Sequence, residues 1–276
     1  MPRLYRRRPH GRLRGRRHPQ DLTQLRRGAR ALRIGHRGAA ALAPENTVAA
    51  FRRAIELSVD FVEFDVLDLA DGTLVLAHSD ELLEVSHGVA AGRVRPLRLE
   101  ELRELAPELP TLEQALEFFA TVDVGLHADV KSPRHGREIA AALRRHGLVE
   151  RAVASSFWTP TLCDLRAEEP RLAVGITYPE DRRGLARRRL LAPLVPPAVA
   201  LLGRVLPRRL PRWLRSTGAT VAMLHYAVLS RAAVDRCHAS GAAVWAWTVN
   251  EPEQLGRVVD LDVDGVISDD PRLFLQ

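Results

Sequence analysis

A chain of 276 residues is long for one ordinary domain and short for two large ones, whereas α/β barrels commonly reach about 250 residues as a single domain. Its 46% hydrophobic content excludes a wholly disordered or collagen-like polymer, and its two cysteines, Cys163 and Cys237, exclude a disulfide scaffold and point to a reducing compartment. The net charge of +7 is unevenly spread: twelve arginines and a single acid, Asp21, lie in residues 1–33, ten more arginines lie in 180–215, and the remaining body is acidic.

Residues 1–30 show no apolar periodicity, and their arginine runs lack the apolar stretch of a secretory signal. They are expected to be a disordered extension. Deleting them would abolish a nucleic-acid-binding role, but no aromatic recognition motif interleaves with the arginines, so no nucleic acid is expected. With neither a signal peptide nor a transmembrane helix legible, the expected location is cytoplasmic or membrane-peripheral.

From Leu32 onward, β-rich runs alternate with helical ones. Strands are predicted at 32–36, 61–66, 123–130, 151–156, 171–176, 219–224, 243–249 and 263–267. Amphipathic helices are predicted at 47–57, 111–120, 134–146, 159–168, 230–240 and 252–259, several opening on Thr or Pro. Eight strands in this rhythm predict a (β/α)8 TIM barrel over 31–276, with its chemistry at the carboxyl ends of the strands. Two intervals, 67–110 after the second strand and the basic, Pro/Leu-rich 177–218 before the sixth, are too long for plain connections and read as insertions at the rim.

Three segments concentrate polar side chains. Ile34-Gly-His-Arg-Gly38 ends the first strand, so His36 and Arg37 fall at its carboxyl end, and Pro44-Glu-Asn-Thr47 opens the first helix. On the second strand, Glu63 and Asp65 share a face, and Asp71-Gly72 reads as a two-residue hairpin turn. That turn pairs Ala70 with Thr73 and places Asp65 opposite His78. Glu63 and Asp65 are either the wet face of a hairpin or buried ligands of a hard cation. The third segment is Leu126-His-Ala-Asp-Val-Lys131, with His127, Asp129 and Lys131 on one face. Asp129 either supplies a third carboxylate or simply pairs with Lys131. Forty of the 41 basic residues are arginine, so the only lysine marks a position where a compact ammonium serves and a planar guanidinium does not.

The chain resembles the glycerophosphodiester phosphodiesterase family. The resemblance rests on His36-Arg37-Gly38, Pro44-Glu45-Asn46-Thr47, Glu63-Phe-Asp65, Asp71-Gly72, His78, Asp129-Val-Lys131, Ser156-Phe157, Trp247-Thr-Val-Asn250 and Asp264-Gly265, in that order across 34–270. It implies a TIM barrel with an insertion after the second strand, hydrolysing small glycerophosphodiesters to glycerol 3-phosphate and an alcohol. It further implies one divalent cation, Ca²⁺ or Mg²⁺ with Mn²⁺ as a further candidate, on Glu63, Asp65 and Asp129. His36 and His78 become the catalytic pair, and Arg37 and Lys131 the phosphate contacts. Trp247 either walls the substrate pocket or belongs to the core. Two positions depart from the family pattern: Asp129 stands where Glu is usual, and Ser79 where Asp is usual, so His78 needs another orienting partner. A lysophospholipase D or similar lipid phosphodiesterase is the alternative. In that reading the segment 185–214 rests on an anionic membrane; otherwise it is a helical lid, which the repeated prolines favour by interrupting any amphipathic stripe.

Overall fold

The computed structural model describes residues 25, 30–86, 88–179 and 193–275. The extension apart from Leu25 and Arg30, His87, and the arginine-rich stretch 180–192 lie outside the described residues. Eight parallel strands close a barrel: β1 (Leu32–Gly35), β2 (Phe61–Asp68), β4 (Gly125–Val130), β5 (Ala152–Ser156), β6 (Ala173–Tyr178), β7 (Val221–His225), β8 (Ala243–Trp247) and β9 (Gly265–Ser268). Closure comes from β1, which pairs with β9 on one side and β2 on the other. The short antiparallel β3 (Leu74–Leu76) hangs on β2 outside this ring.

The helices follow the periodicity of the sequence. Thr47 caps α1 (Val48–Glu56) by accepting from the Ala50 amide, and Thr111 caps α4 (Leu112–Ala120) through a capping box with Gln114. Both then turn apolar faces inward, Ala50, Phe51 and Ala54 from the first and Leu112, Ala115, Leu116 and Phe119 from the second. Alternation along the strands divides the apolar residues into two layers. Outward residues such as Val62, Phe64, Leu126 and Val130 pack beneath the helices, while Leu32, Ile34, Phe61, Val153, Met223, Trp245 and Ile267 fill the barrel floor.

Leu25 belongs to that floor. It is buried, and its carbonyl accepts from the Trp245 indole nitrogen at 3.4 Å. The extension predicted to be disordered through residue 30 therefore includes a residue packed into the barrel, because the floor leaves an apolar opening that Leu25 closes.

The first long interval carries its own small core. Beside the hairpin it contributes α2 (Leu82–Val85) and α3 (Leu99–Leu105), and Leu69, Val75, Val94 and Leu102 pack together. Its hairpin is one residue out of the predicted register: Val66 faces Leu76 and Asp68 faces Leu74. The loop has three residues, Ala70, Asp71 and Gly72, closed by Leu69 N–H donating to Thr73 O at 2.9 Å and Gly72 N–H donating to Leu69 O at 3.0 Å. Gly72 sits at φ +82°, and the Asp71 carboxylate accepts from the Thr73 amide, which together stabilise the three-residue turn. Asp65 is consequently not the ladder partner of His78. The ladder stops at Leu76, and His78 reaches the rim on the chain beyond it.

The second interval resolves into α7 (Val195–Thr217), a 23-residue helix joining β6 to β7. The prolines do not break it. Pro196 and Pro197 fall in its first turn, where no intrahelical N–H is lost, and Pro207 and Pro211 are carried by the packing of Leu206, Leu210 and Leu214 against the barrel. The remaining helices are α5 (Gly136–Arg145), α6 (Thr159–Glu168), α8 (Arg231–Ala239) and α9 (Pro252–Asp260). No helix among the described residues is long and apolar enough to cross a membrane.

Candidate active site

The inward face of each strand is apolar at the floor and becomes polar at the carboxyl end. Climbing β1 by twos from Leu32 and Ile34 reaches His36; climbing β2 from Phe61 reaches Glu63 and Asp65; climbing β4 from His127 reaches Asp129 and Lys131. Glu63, Asp65 and Asp129 are 3%, 0% and 5% exposed, and they offer oxygens that all lie within 4.8 Å of one another. They form a buried carboxylate cluster that could hold a metal ion, not the wet face of a hairpin.

The loop after β1 holds this trio from one side. Arg37 N–H donates to Glu63 at 2.7 Å, and its guanidinium lies 3.2 Å from Asp65 and 2.7 Å from Glu45. Asn46 clasps Asp65 twice, its side-chain amide donating at 3.0 Å while its carbonyl accepts the Asp65 backbone N–H at 2.9 Å. Pro44-Glu45-Asn46-Thr47 is thus explained residue by residue: the pattern anchors the arginine, the aspartate and the helix start. Gly38 lets the loop turn this tightly, at φ +87°, since a Cβ there would lie 2.6 Å from the Ala50 backbone.

From the other side, the Lys131 ammonium sits between Asp65, at 2.8 Å, and Asp129. Pairing of Lys131 with Asp129, one of the two sequence readings, is therefore realised together with the shared site. Ser155 and Thr177, on the next two strands, donate to the other Asp129 oxygen. Burial opposes ionisation of Asp65, yet Lys131 and Arg37, followed by His78 and His36, hold its carboxyl well below the usual range. Burial and the neighbouring Asp65 push Glu63 in the opposite direction, well above it. For both cations burial is likewise outweighed, and the carboxylates hold Arg37 and Lys131 firmly charged. Three crowded carboxylates, hard oxygen donors on rigid strands, fit a divalent cation such as Ca²⁺, Mg²⁺ or Mn²⁺.

Each candidate histidine has a carboxylate on its Nδ1. His36 Nδ1 lies 2.5 Å from Asp269, just past β9, and Asn250 donates to the other oxygen of Asp269. Burial and Arg37 lower the His36 pKa against the opposing pull of Asp269. His78 Nδ1 lies 3.1 Å from Glu84 on α2, whose second oxygen accepts from the Ser79 hydroxyl at 2.9 Å. Glu84 is therefore the partner that the Ser79 departure called for. The two imidazoles keep Nε2 as the atom able to exchange a proton.

Trp247 and Trp245 occupy different layers. Trp245 is fully buried in the floor, whereas Trp247 lies at the mouth, edge-on to His225 at 5.1 Å and to Phe157 at 6.5 Å. The Trp247 Nε1 is buried with no hydrogen-bond partner among the described residues, and the Phe157 ring stands 5.8 Å from the Lys131 ammonium. Phe157 and Trp247 thus form an aromatic pair beside the Lys131 ammonium. His127 lies below it, edge-on to Trp245 at 5.5 Å with Nε2 on Ser155 at 2.8 Å, and burial lowers its pKa to about 4. It is a neutral interior imidazole supporting the Ser155–Asp129 contact.

All eight sequence-predicted residues gather at one end of the barrel. Sequence reasoning did not single out Asp269, Glu84, Ser155 or Thr177, which touch the candidate residues, and gave His225 no functional weight. A signal existed for some: Asp269, Thr177 and His225 all stand where inward faces emerge at strand carboxyl ends, the positions that barrel geometry marks for chemistry.

Known proteins resemble this chain in sequence and fold. The model of the glycerophosphoryl diester phosphodiesterase family matches residues 36–273. A glycerophosphodiester phosphodiesterase of Caldanaerobacter subterraneus subsp. tengcongensis is 28% identical over 262 residues, 89% of this chain and 97% of that protein. The crystal structure of a glycerophosphodiester phosphodiesterase from Thermotoga maritima superposes with a TM-score of 0.65 at 25% identity, covering 89% of this chain and 97% of that one. In fold alone, an Oleispira antarctica phosphodiesterase in complex with the product sn-glycerol-3-phosphate is similar with a TM-score of 0.67 at 24% identity, covering 87% and 93% of the two chains. With the family model spanning nearly the whole barrel, this chain belongs to the glycerophosphoryl diester phosphodiesterase family.

Proposed function

We propose that the protein hydrolyses glycerophosphodiesters to sn-glycerol 3-phosphate and an alcohol by acid/base catalysis between His36 and His78. The observation that carries this reading is the pair of imidazoles, each fixed on Nδ1 by its own carboxylate, beside a buried site holding two cationic side chains and three carboxylates. The names of the relatives, and the sn-glycerol 3-phosphate bound to the Oleispira enzyme, agree with it.

A phosphodiester repels nucleophiles because its oxygens are anionic, so charge must be neutralised while a proton is removed and another supplied. Arg37 and Lys131 are the protein's fixed positive charges for the phosphate. Held by Glu63, Asp65 and Asp129, a divalent cation would add Lewis-acid stabilisation of the same oxygens. One histidine takes the proton of a glycerol hydroxyl as its oxygen bonds to phosphorus. The other gives a proton to the departing alcohol as the P–O bond breaks, leaving a cyclic phosphate. The roles then reverse: water loses a proton to the second histidine, adds to phosphorus, and the ring oxygen leaves with the proton of the first. Trp247 and Phe157 wall the glycerol or alcohol pocket beside Lys131.

Incubation with glycerophosphocholine and glycerophosphoethanolamine is expected to release sn-glycerol 3-phosphate, measured with a coupled dehydrogenase. No release from any glycerophosphodiester would refute the reading. Glu84 serves as a positioning residue for His78. Glu84→Ala is expected to lower kcat about tenfold to a hundredfold with KM nearly unchanged, the loss typical when an imidazole's orienting carboxylate is removed, while Glu84→Gln, which keeps an acceptor, recovers part of it. An unchanged kcat in Glu84→Ala would remove it from the mechanism.

A second reading, a lysophospholipid-type diester drawn from a membrane, is favoured by one observation: α7 stands beside the mouth of the barrel.

A further inference from the structure

Helix α7 leads from the rim to the barrel's amino end, where Gly218 turns the chain into β7. Gly203 is the level at which it meets the rim, since a Cβ there would lie 3.2 Å from the carbonyl of Val228, three residues past the end of β7. The same rim carries His225 and, against it, Trp247. From Gly203 to Thr217 the helix descends the barrel wall on Leu206, Leu210 and Leu214; N-terminal of Gly203, eight helical residues, about 12 Å of helix, continue along and past the rim.

The two halves of this helix differ in chemistry along a single exposed stripe. Spacings of three and four residues connect Leu194, Pro197, Leu201, Arg204, Arg208, Arg212 and Arg215, all of them exposed. The upper part is apolar, with Leu194 62% and Leu201 61% exposed, and no charged residue falls between Pro193 and Gly203. The lower part is purely cationic: Val195–Thr217 contains five arginines and no acid, and Arg204, Arg208, Arg212 and Arg215 meet no carboxylate among the described residues. Val199 and Leu202 rest partly on the barrel, so the leucine tip is held out rather than dangling.

We propose that α7 is a membrane-docking element that seats the mouth of the barrel on an anionic lipid surface. An apolar tip ahead of an arginine collar matches a bilayer interface, in which acyl chains lie beneath a layer of phosphates. Leu194 and Leu201 enter the acyl boundary and Arg204 lies at the phosphates, while Arg208, Arg212 and Arg215, about 6–16 Å further down the helix, add a longer-range attraction to the anionic surface. Nucleic acid would use the collar and leave the leucines without a role. A second copy of the chain would cover the leucines and oppose one collar with another of the same sign. The proposal does not depend on the diesterase reading, and its measurement is binding, not turnover.

The test is sedimentation of the full-length protein with vesicles of mixed phosphatidylglycerol and phosphatidylcholine, and with phosphatidylcholine alone. Binding is expected only to the anionic vesicles and should weaken with salt. The triple variant Arg204→Gln, Arg208→Gln, Arg212→Gln should lower the partition constant about tenfold, and Leu194→Asp with Leu201→Asp about tenfold or more. Both variants should keep the wild-type melting temperature, since none of these side chains is buried. Three outcomes would overturn the proposal: no binding to anionic vesicles; binding that neither variant weakens, which would assign it to the arginines of residues 1–33; or binding that only the arginine variant weakens, which would mark a general polyanion site. A concentration-dependent dimer lost in the leucine variant, without vesicle binding, would assign the tip to a second copy.

Discussion

His36→Ala and His78→Ala are each expected to lower kcat by about 10²–10⁴-fold, the contribution typical of a positioned general acid or base, while circular dichroism and the thermal transition should stay close to wild type. The fold is expected to survive because both side chains lie at the mouth, above the apolar floor. The double variant should be little worse than the worse single one, because in the proposed mechanism the two histidines serve one proton-transfer sequence and their losses should not add. Near-wild-type turnover in both single variants would show that the proton transfers lie elsewhere.

Chelation with EDTA is expected to lower turnover by about 10²–10³-fold, with Ca²⁺, Mg²⁺ or Mn²⁺ restoring it to different extents. Glu63→Gln separates cation binding from folding. Burial and the adjacent Asp65 already disfavour a negative charge on Glu63, so the neutral amide should leave the metal-free melting temperature unchanged or slightly raised. In the proposed site the same variant loses a charged ligand, so the rise in melting temperature expected when Ca²⁺ is added to the wild type should shrink or vanish. Asp65→Asn behaves differently. Asp65 is the partner of Arg37, Lys131 and Asn46, and its removal leaves two buried cations undercompensated, so the variant should be less stable even without metal. Equal calcium-induced stabilisation of wild type and Glu63→Gln would place the ion, if any, elsewhere.

The layout of the barrel was legible because period-two strands and 3.6-period helices leave different marks. Every predicted strand has an observed counterpart within two residues, from Leu32–Gly35 to Gly265–Ser268. The charged trio was legible for the same reason, since i, i+2 spacing on neighbouring strands is enough to bring side chains together once a barrel is assumed. The failures have physical causes. Asp71-Gly72 announces a turn but not its length, and one additional loop residue shifted the hairpin register by one. The prolines of α7 read as interruptions, because local sequence does not reveal that Leu206, Leu210 and Leu214 would hold the helix against the barrel. Asp269 lies 233 residues from His36, and no periodicity reports a pair closed by the last strand meeting the first.

Leu25 couples two properties of this chain that would otherwise be separable. The twelve arginines of residues 1–33 invite removal when their charge is to be tested, but any cut beyond residue 25 also uncorks the end of the barrel opposite the candidate active site. A shortened protein that loses affinity for polyanions and also melts earlier would be reporting two events at once. Arginine-to-glutamine replacement with Leu25 retained changes the electrostatics and leaves the cork in place.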